Sequence, residues 1–229
     1  MNRILGTLLL LAASATVAAQ AWAGPKTELD QGILAIQHQW AHINYAMPED
    51  QRAQAFHKLE GQADALIARY PGHVEPRVWK AITLSSHAAV AGPFSALKLA
   101  EQARDLLLEA EKKDPSALDG SIFTSLATLY SQVPGWPIGF GNNDKARAYF
   151  AKAIAANPDG IDPNYFYAQF LYGQHEYKLA LEHVQKALAA PARPERPLAD
   201  KGRRQEADAL LAKVRADMGD SGYDSQVMR

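Results

Sequence analysis

The sequence of 229 residues contains no cysteine. A disulfide framework is therefore excluded, and so is the cysteine that carries the lipid in an exported lipoprotein. An excess of charge of one sign is also missing, because 24 basic residues face 25 acidic ones. No basic stripe dominates any predicted helix face, and nucleic-acid binding normally requires one. We therefore predict that the chain does not bind nucleic acid.

Motifs for catalysis are missing as well. The Gly-rich loop at 133–141 contains neither G-x-G-x-x-G nor Lys-Ser/Thr, which excludes a phosphate loop. Ser85–Ser86 precede His87 in a helical run, but adjacent residues on a helix point apart and cannot form a nucleophile–base pair. We interpret Glu109, Glu111 and Asp162 as solvated faces or helix caps. We therefore predict that the protein is not an enzyme and has no catalytic residue and no cofactor.

Two histidines are spaced to share a metal ion. His38 and His42 lie four residues apart and therefore on one face of the first predicted helix. No glutamate completes an H-E-x-x-H motif, and no third ligand has a suitable spacing. We favour a solvated position for both side chains and predict no metal site. A metal-dependent enzyme using this pair is the least favoured alternative.

The N-terminal stretch has the pattern of a secretory signal. Arg3 supplies a positive charge, 4–17 are almost entirely apolar, and Ala21-Trp22-Ala23 places small residues before a cleavage point at Gly24. An uncleaved anchor is the alternative. We expect a signal peptide at 1–23, a helical domain at 24–218 and a flexible tail at 219–229. The expected location is the bacterial periplasm, as a soluble protein without a lipid.

One pattern of apolar residues recurs along the chain. A small residue is followed by a larger one four positions later, by an alanine three later, and then by a proline or alanine five later. Small residues let helices approach closely, larger ones fill the groove, and a proline ends the helix. The second and third copies are 34 residues apart, which is the tetratricopeptide (TPR) period. The copies are Ala103-Leu107-Ala110-Pro115, Ala146-Phe150-Ala153-Pro158 and Ala180-Val184-Ala187-Ala192.

Helical periodicity extends over nearly the whole remaining chain. We predict about nine helices, and no segment alternates long enough to be a strand. The fifth and seventh helices are predicted to start at Asp114-Pro115 and Asp162-Pro163, as a cap followed by a first-turn proline. A single helical pair cannot bury its apolar face, so the pairs must stack. The predicted fold is all-α, a TPR-like α-solenoid of antiparallel helix pairs.

The loop at 133–141 interrupts this repeat. Tyr130 precedes Ala146 by sixteen positions, whereas Leu171 precedes Ala180 by nine, so seven residues are inserted. The loop holds Trp136 and Phe140, and such side chains are costly to leave in water. We consider two hypotheses: these aromatics fill a gap between helix pairs, or they contact a ligand or partner.

The concave surface of a TPR-like solenoid is lined by the first helix of each pair. Counting from the packing positions, we predict that this surface carries hydroxyl groups, an amide, two phenols and few charges. Such a surface suits a peptide or a small amphipathic ligand, although an ordinary exposed face is an equally good interpretation. The predicted residues are Lys80, Leu84, His87, Ser121, Thr124, Thr128, Tyr165, Gln169 and Tyr172.

The loop and its neighbours resemble a known family. Leu126-x-x-Leu129-Tyr130, Val133-Pro134-Gly135-Trp136-Pro137, Phe140-Gly141 and the Ala146 to Pro158 pattern are similar to the exported TPR-like proteins linked to TRAP transporters, the TatT or T-component family. The resemblance implies a helical protomer, a trimer with a central opening, and a periplasmic solute-binding protein as partner. Members of that family tend to be lipoproteins, and this chain lacks the cysteine.

Three functional hypotheses follow. The favoured one is a non-catalytic exported scaffold that binds a partner protein through the concave face and the 133–141 loop, as an accessory to a TRAP-type transport system. The second is a periplasmic carrier that holds a small amphipathic ligand between Tyr130, Trp136 and Phe140. The third is the metal-dependent enzyme that would use His38 and His42.

Overall fold

The computed structural model of the protein describes residues 27–220, and these form only helices and their connections. The predicted signal peptide lies outside the described residues, as does the tail beyond 220. None of the described helices is long and apolar enough to cross a membrane. The all-α prediction is confirmed. The nine described helices are α1 (Glu28–Tyr45), α2 (Glu49–Arg69), α3 (Glu75–Val90), α4 (Pro93–Lys113), α5 (Ser121–Gln132), α6 (Asn143–Ala156), α7 (Ile161–Gly173), α8 (Tyr177–Ala189) and α9 (Pro197–Asp220).

The helices are arranged as stacked pairs. Helices α1 to α8 form four consecutive pairs joined by short connections, and each pair packs on the next. The odd-numbered helices also contact one another in sequence, so they form a continuous inner layer. Helix α9 packs on α7 and α8 and, in addition, on α1. The predicted stacking is therefore confirmed, and the last helix joins the two ends of the row.

The repeated small–large–small pattern lies at the contacts between helices. The first three residues of each copy are at most 1% exposed, as close packing of helices requires. The apolar interior forms two clusters, the larger running from α3 to α9 and the smaller joining α1, α2 and the start of α3. The fully buried pattern residues are Ala103, Leu107, Ala110, Ala146, Phe150, Ala153, Ala180, Val184 and Ala187.

The predicted start of the fifth helix at Asp114-Pro115 is wrong. Helix α5 begins at Ser121, and the preceding residues form a left-handed turn in which Leu118, Asp119 and Gly120 have φ of 56°, 47° and 79°. Glycine adopts a positive φ without a steric penalty, and Gly120 occupies one of these three positions. The carboxylate of Asp114 accepts from the backbone N–H of Ser116, 2.9 Å away, and so stabilises the turn rather than a helix start.

Asp162 is neither a helix cap nor part of a solvated face, which corrects the sequence prediction. Helix α7 begins at Ile161, and the carboxylate of Asp162 pairs with two arginines from the C-terminal part of the chain. Arg203 Nε donates to its Oδ1 at 2.9 Å, and Arg193 Nη1 donates to its Oδ2 at 2.7 Å. Burial opposes ionisation, but these guanidinium groups outweigh it and hold the pKa of Asp162 well below its ordinary value.

Helix α9 also fits closely against α1. The Tyr45 hydroxyl donates to Glu206 Oε2 at 3.2 Å, and burial raises the pKa of Tyr45 above its ordinary value, so the hydroxyl keeps its proton. A Cβ atom placed on Gly202 would lie 2.4 Å from the Tyr45 ring, so only glycine permits this approach. The contact closes the row of helix pairs around a concave groove.

We expect Asp162→Asn to lower the free energy of unfolding at pH 7 by about 2 kcal/mol, because both arginines lose one of their charged partners. The folded-state pKa of Asp162 is depressed, so this stabilisation exists above the unfolded pKa of about 4 and is lost as the pH falls below it. Urea titrations from pH 3 to pH 8 measure the difference between wild type and variant.

Asp159→Asn is the control, since Asp159 is exposed in the turn immediately before α7. It should change the unfolding free energy by less than about 0.5 kcal/mol. A difference between wild type and Asp162→Asn that stays constant down to pH 3 contradicts the ion-pair account.

Candidate functional site

A concave groove of about 890 Å³ lies among the described residues. It is bounded by the inner helices α1, α3, α5, α7 and α9, by the start of α2 and of α4, and by the 133–141 loop. Its size lies within the range of cavities that bind drug-sized ligands or a short protein segment.

The side formed by α3, α4 and the loop is apolar. Ile82, Leu97 and Val133 line it, and Phe94 and Ile138 stand at its rim. Phe94 is 98% exposed and Ile138 is 70% exposed. Exposed apolar patches beside a groove are typical of surfaces that bind other molecules.

The hydroxyl groups of the groove present hydrogen-bond acceptors. Three of them, on α3 and α5, donate their protons to the carbonyl group four residues earlier, which leaves their oxygen lone pairs for other donors. One of them, Ser86, already accepts from the indole Nε1 of Trp40 at 2.8 Å. These bonds run from Ser85 to Ala81, from Ser86 to Ile82 and from Thr128 to Thr124.

The opposite side, formed by α1, α2 and α9, is polar and charged. Asn44, Arg52, Arg203 and Glu206 line it. Arg203 is 7% exposed, donates from Nη1 to Glu206 Oε2 at 2.6 Å, and is covered by aromatic rings of α7. The guanidinium carbon lies 4.7 Å and 4.3 Å from the centres of the rings of Tyr165 and Phe166.

Three of the predicted concave residues line the groove. They are Thr128 on α5 and Tyr165 and Gln169 on α7. Gln169 Oε1 accepts from Gln132 Nε2 at 3.2 Å, so the two amides join α5 to α7 along the groove wall. Their predicted role in binding stays a prediction.

The other predicted concave residues face elsewhere. Lys80 pairs with Asp64, and His87 Nδ1 lies 2.7 Å from Glu60 Oε1, so both face α2. Thr124 and Leu84 are buried, Ser121 bonds to the Leu118 carbonyl, and the Tyr172 hydroxyl donates to Asp217 on α9 at 2.7 Å. On α3 the groove instead receives Ser85, Ser86 and Ala89, a shift of about one residue in helical phase.

The aromatic residues of the loop divide into two kinds. Phe140 packs edge-on against Tyr130 at 5.7 Å, and the Arg104 guanidinium lies 4.4 Å over its ring. Tyr130 also stacks on Tyr149 at 5.8 Å, so Phe140 and Tyr130 are parts of the scaffold. Trp136 is 90% exposed and does not join them, so the structure forms no ligand cavity between these three predicted residues.

The two histidines on α1 are not brought together with further ligands. His38 Nε2 lies 2.5 Å from the carbonyl oxygen of Glu195, in the connection before α9. His42 lies at the edge of a smaller cavity of about 420 Å³ between α1 and α2, beside Met47 and Lys58. Among the described residues, no group of three or more His, Asp or Glu side chains could hold a metal ion.

Sequence reasoning missed the residues of the charged side. Arg203 and Glu206 are three apart on α9, a spacing that is common on any exposed helix face, and Arg52 gives no distinguishing signal. Phe94 follows the Gly92-Pro93 break, and the sequence identifies it only as the start of the fourth helix. Only a prediction that α9 returns to α1 could have identified these residues.

The fold of this chain also occurs in a solved structure. No protein-family model and no curated protein matches the chain. It is similar to the crystal structure of a thermophilic TPR protein from Thermus thermophilus, with a TM-score of 0.52 and 17% sequence identity. The similarity covers 80% of this chain and 98% of the Thermus chain. At this identity it shows the fold, and the predicted TPR-like solenoid is confirmed.

We expect Phe140→Ala to lower the free energy of unfolding by about 2 kcal/mol, because it removes a half-buried ring from the contact with Tyr130 and Arg104. Trp136→Ala is the matched control from the same loop and should change it by less than about 0.5 kcal/mol. Urea unfolding followed by circular dichroism measures both. Equal losses of stability contradict this division of the loop.

Proposed function

We propose that this protein is a non-catalytic binding protein that takes an apolar segment of a protein partner into its concave groove. The observation that carries the proposal is the 890 Å³ groove with Phe94 and Ile138 exposed at its rim. Stacked helical repeats create extended concave surfaces of the kind that bind protein segments. Exposed apolar residues beside such a surface favour a partner that buries them.

The groove chemistry supports a binding role over catalysis. The hydroxyl groups of Ser85 and Ser86 donate to backbone carbonyls and have no general base beside them. The charged groups Arg203 and Glu206 are paired with each other. A groove with apolar walls and a few fixed polar groups orients a ligand, as binding sites generally do.

The cellular setting is part of the same proposal. The first 23 residues have the pattern of a signal peptide, and the loop resembles that of TRAP-linked TPR-like proteins. These features support export to the periplasm and a role as an accessory to a TRAP-type system. The partner would then be a periplasmic solute-binding protein, and the protein would assemble as a homotrimer.

Filling the groove should abolish partner binding. Ala89 is exposed on the α3 wall, so Ala89→Trp places an indole in the groove without disturbing the core. The matched control is Ala65→Trp, since Ala65 is exposed on α2 and does not line the groove. Proteins captured from a periplasmic extract should be retained by the control and depleted at least tenfold by Ala89→Trp. Equal capture by both variants contradicts binding in the groove.

A small-molecule carrier is the second candidate, favoured by the volume of the groove. Native mass spectrometry of the freshly purified protein tests it. A carrier should show a bound mass that disappears in Ala89→Trp and persists in Ala65→Trp. An unliganded mass for wild type in every preparation contradicts this function and leaves the protein-binding proposal in place.

A further inference from the structure

The charged side of the groove is the end of a chain of ion pairs. Asp200, Arg193, Asp162, Arg203 and Glu206 alternate in sign, and the successive donor–acceptor distances are 2.6, 2.7, 2.9 and 2.6 Å. Two guanidinium groups therefore link three carboxylates, and a third arginine, Arg196, also acts electrostatically on Asp162 and Asp200. The final member, Glu206, lines the groove, so the chain of ion pairs ends there on a carboxylate.

Other cations near this chain do not neutralise Glu206. The Arg196 guanidinium lies 5.1 Å from the centre of the Trp79 ring, and Arg196 does not line the groove. Arg52 lines the groove from α2, where its Nε donates to the Met47 carbonyl at 3.0 Å. None of the ion pairs identified among the described residues joins Arg52 to Glu206.

The carboxylate of Glu206 can accept a further hydrogen bond. Its bonds from Arg203 and Tyr45 both end on Oε2, and the side chain is 36% exposed. Oε1 is therefore available to a donor entering the groove. The oxygens of Ser85 and Thr128 are acceptors as well, because their protons are already donated to the backbone. A lysine or arginine side chain, which only donates, matches this set.

We propose that the groove recognises an amphipathic protein segment in which one basic side chain donates to Glu206 while apolar side chains rest on Leu97, Phe94 and Ile138. The inference rests on the proposed function and adds the chemistry that selects the segment. The opposite arrangement, an acidic side chain directed to Arg52, is the competing outcome. Charge complementarity sets the choice between them, because it governs specificity more than affinity.

Selection from a phage-displayed library of random dodecapeptides tests the chemistry without knowledge of the natural partner. Purified wild-type protein should enrich peptides that combine apolar residues with a lysine or an arginine. A synthetic peptide from the enriched set is then compared with its Lys→norleucine and Lys→Glu versions by calorimetry. Wild type should bind the norleucine version about fivefold more weakly than the lysine version, and the glutamate version more weakly still.

Two matched variants assign the preference to Glu206. Glu206→Gln retains an acceptor for Arg203 and Tyr45, and should bind the lysine and norleucine peptides equally. Arg52→Gln removes a like charge and should keep or increase the preference for lysine. Circular dichroism and the melting temperature verify that both variants fold, and the peptide comparison on wild type stands even where one does not.

The outcomes separate this inference from the proposed function. Apolar peptides bound without a basic residue, or with an acidic one, overturn the role of Glu206 while the groove remains a binding site. A lysine preference that survives in Glu206→Gln overturns it as well. If wild type enriches no peptide, or only peptides that Ala89→Trp also binds, the proposed function itself is contradicted, and the inference with it.

Discussion

The ion pair between Arg203 and Asp162 is the interaction on which the arrangement of the helices depends. It joins α9 to α7, and Glu206 extends it to Tyr45 on α1. A buried guanidinium is costly unless its partners hold the required geometry, so these contacts permit one position of α9. Gly202 allows that position, because any side chain there would meet α1. An open row of helix pairs thereby becomes a closed one with a groove inside.

The helix pairs themselves could be predicted from the sequence. The steps of four and three residues depend on local packing, so they identified residues that are fully buried, such as Ala146 and Phe150. The insertion at 133–141 was also apparent, because it changes the spacing between Tyr130 and Ala146. Whether Phe140 or Trp136 would pack inward could not be decided, since both are aromatic residues in one loop.

The groove could be predicted only in part, for two physical reasons. Its charged side depends on the ion pair between Asp162 and Arg203. These residues lie 41 positions apart in the sequence, and no local pattern predicts such a pair. Its polar wall depends on helical phase, and an error of one residue moves a side chain by about 100°. Tyr165 lines the groove, whereas His87 faces α2. The predicted helix start at Asp114-Pro115 was wrong, because the carboxylate of Asp114 accepts a backbone hydrogen bond before a left-handed turn, just as it would at a helix cap.

The most direct test of this account is the distance between α1 and α9 in solution. Because the chain has no cysteine, Gln39→Cys and Gln205→Cys introduce a unique pair of sites for nitroxide labels. Double electron–electron resonance should give one narrow distribution, at a separation that two helices packed about 10 Å apart allow. A broad distribution extending to the full width of the domain would show that α9 does not close the groove, and would contradict the account.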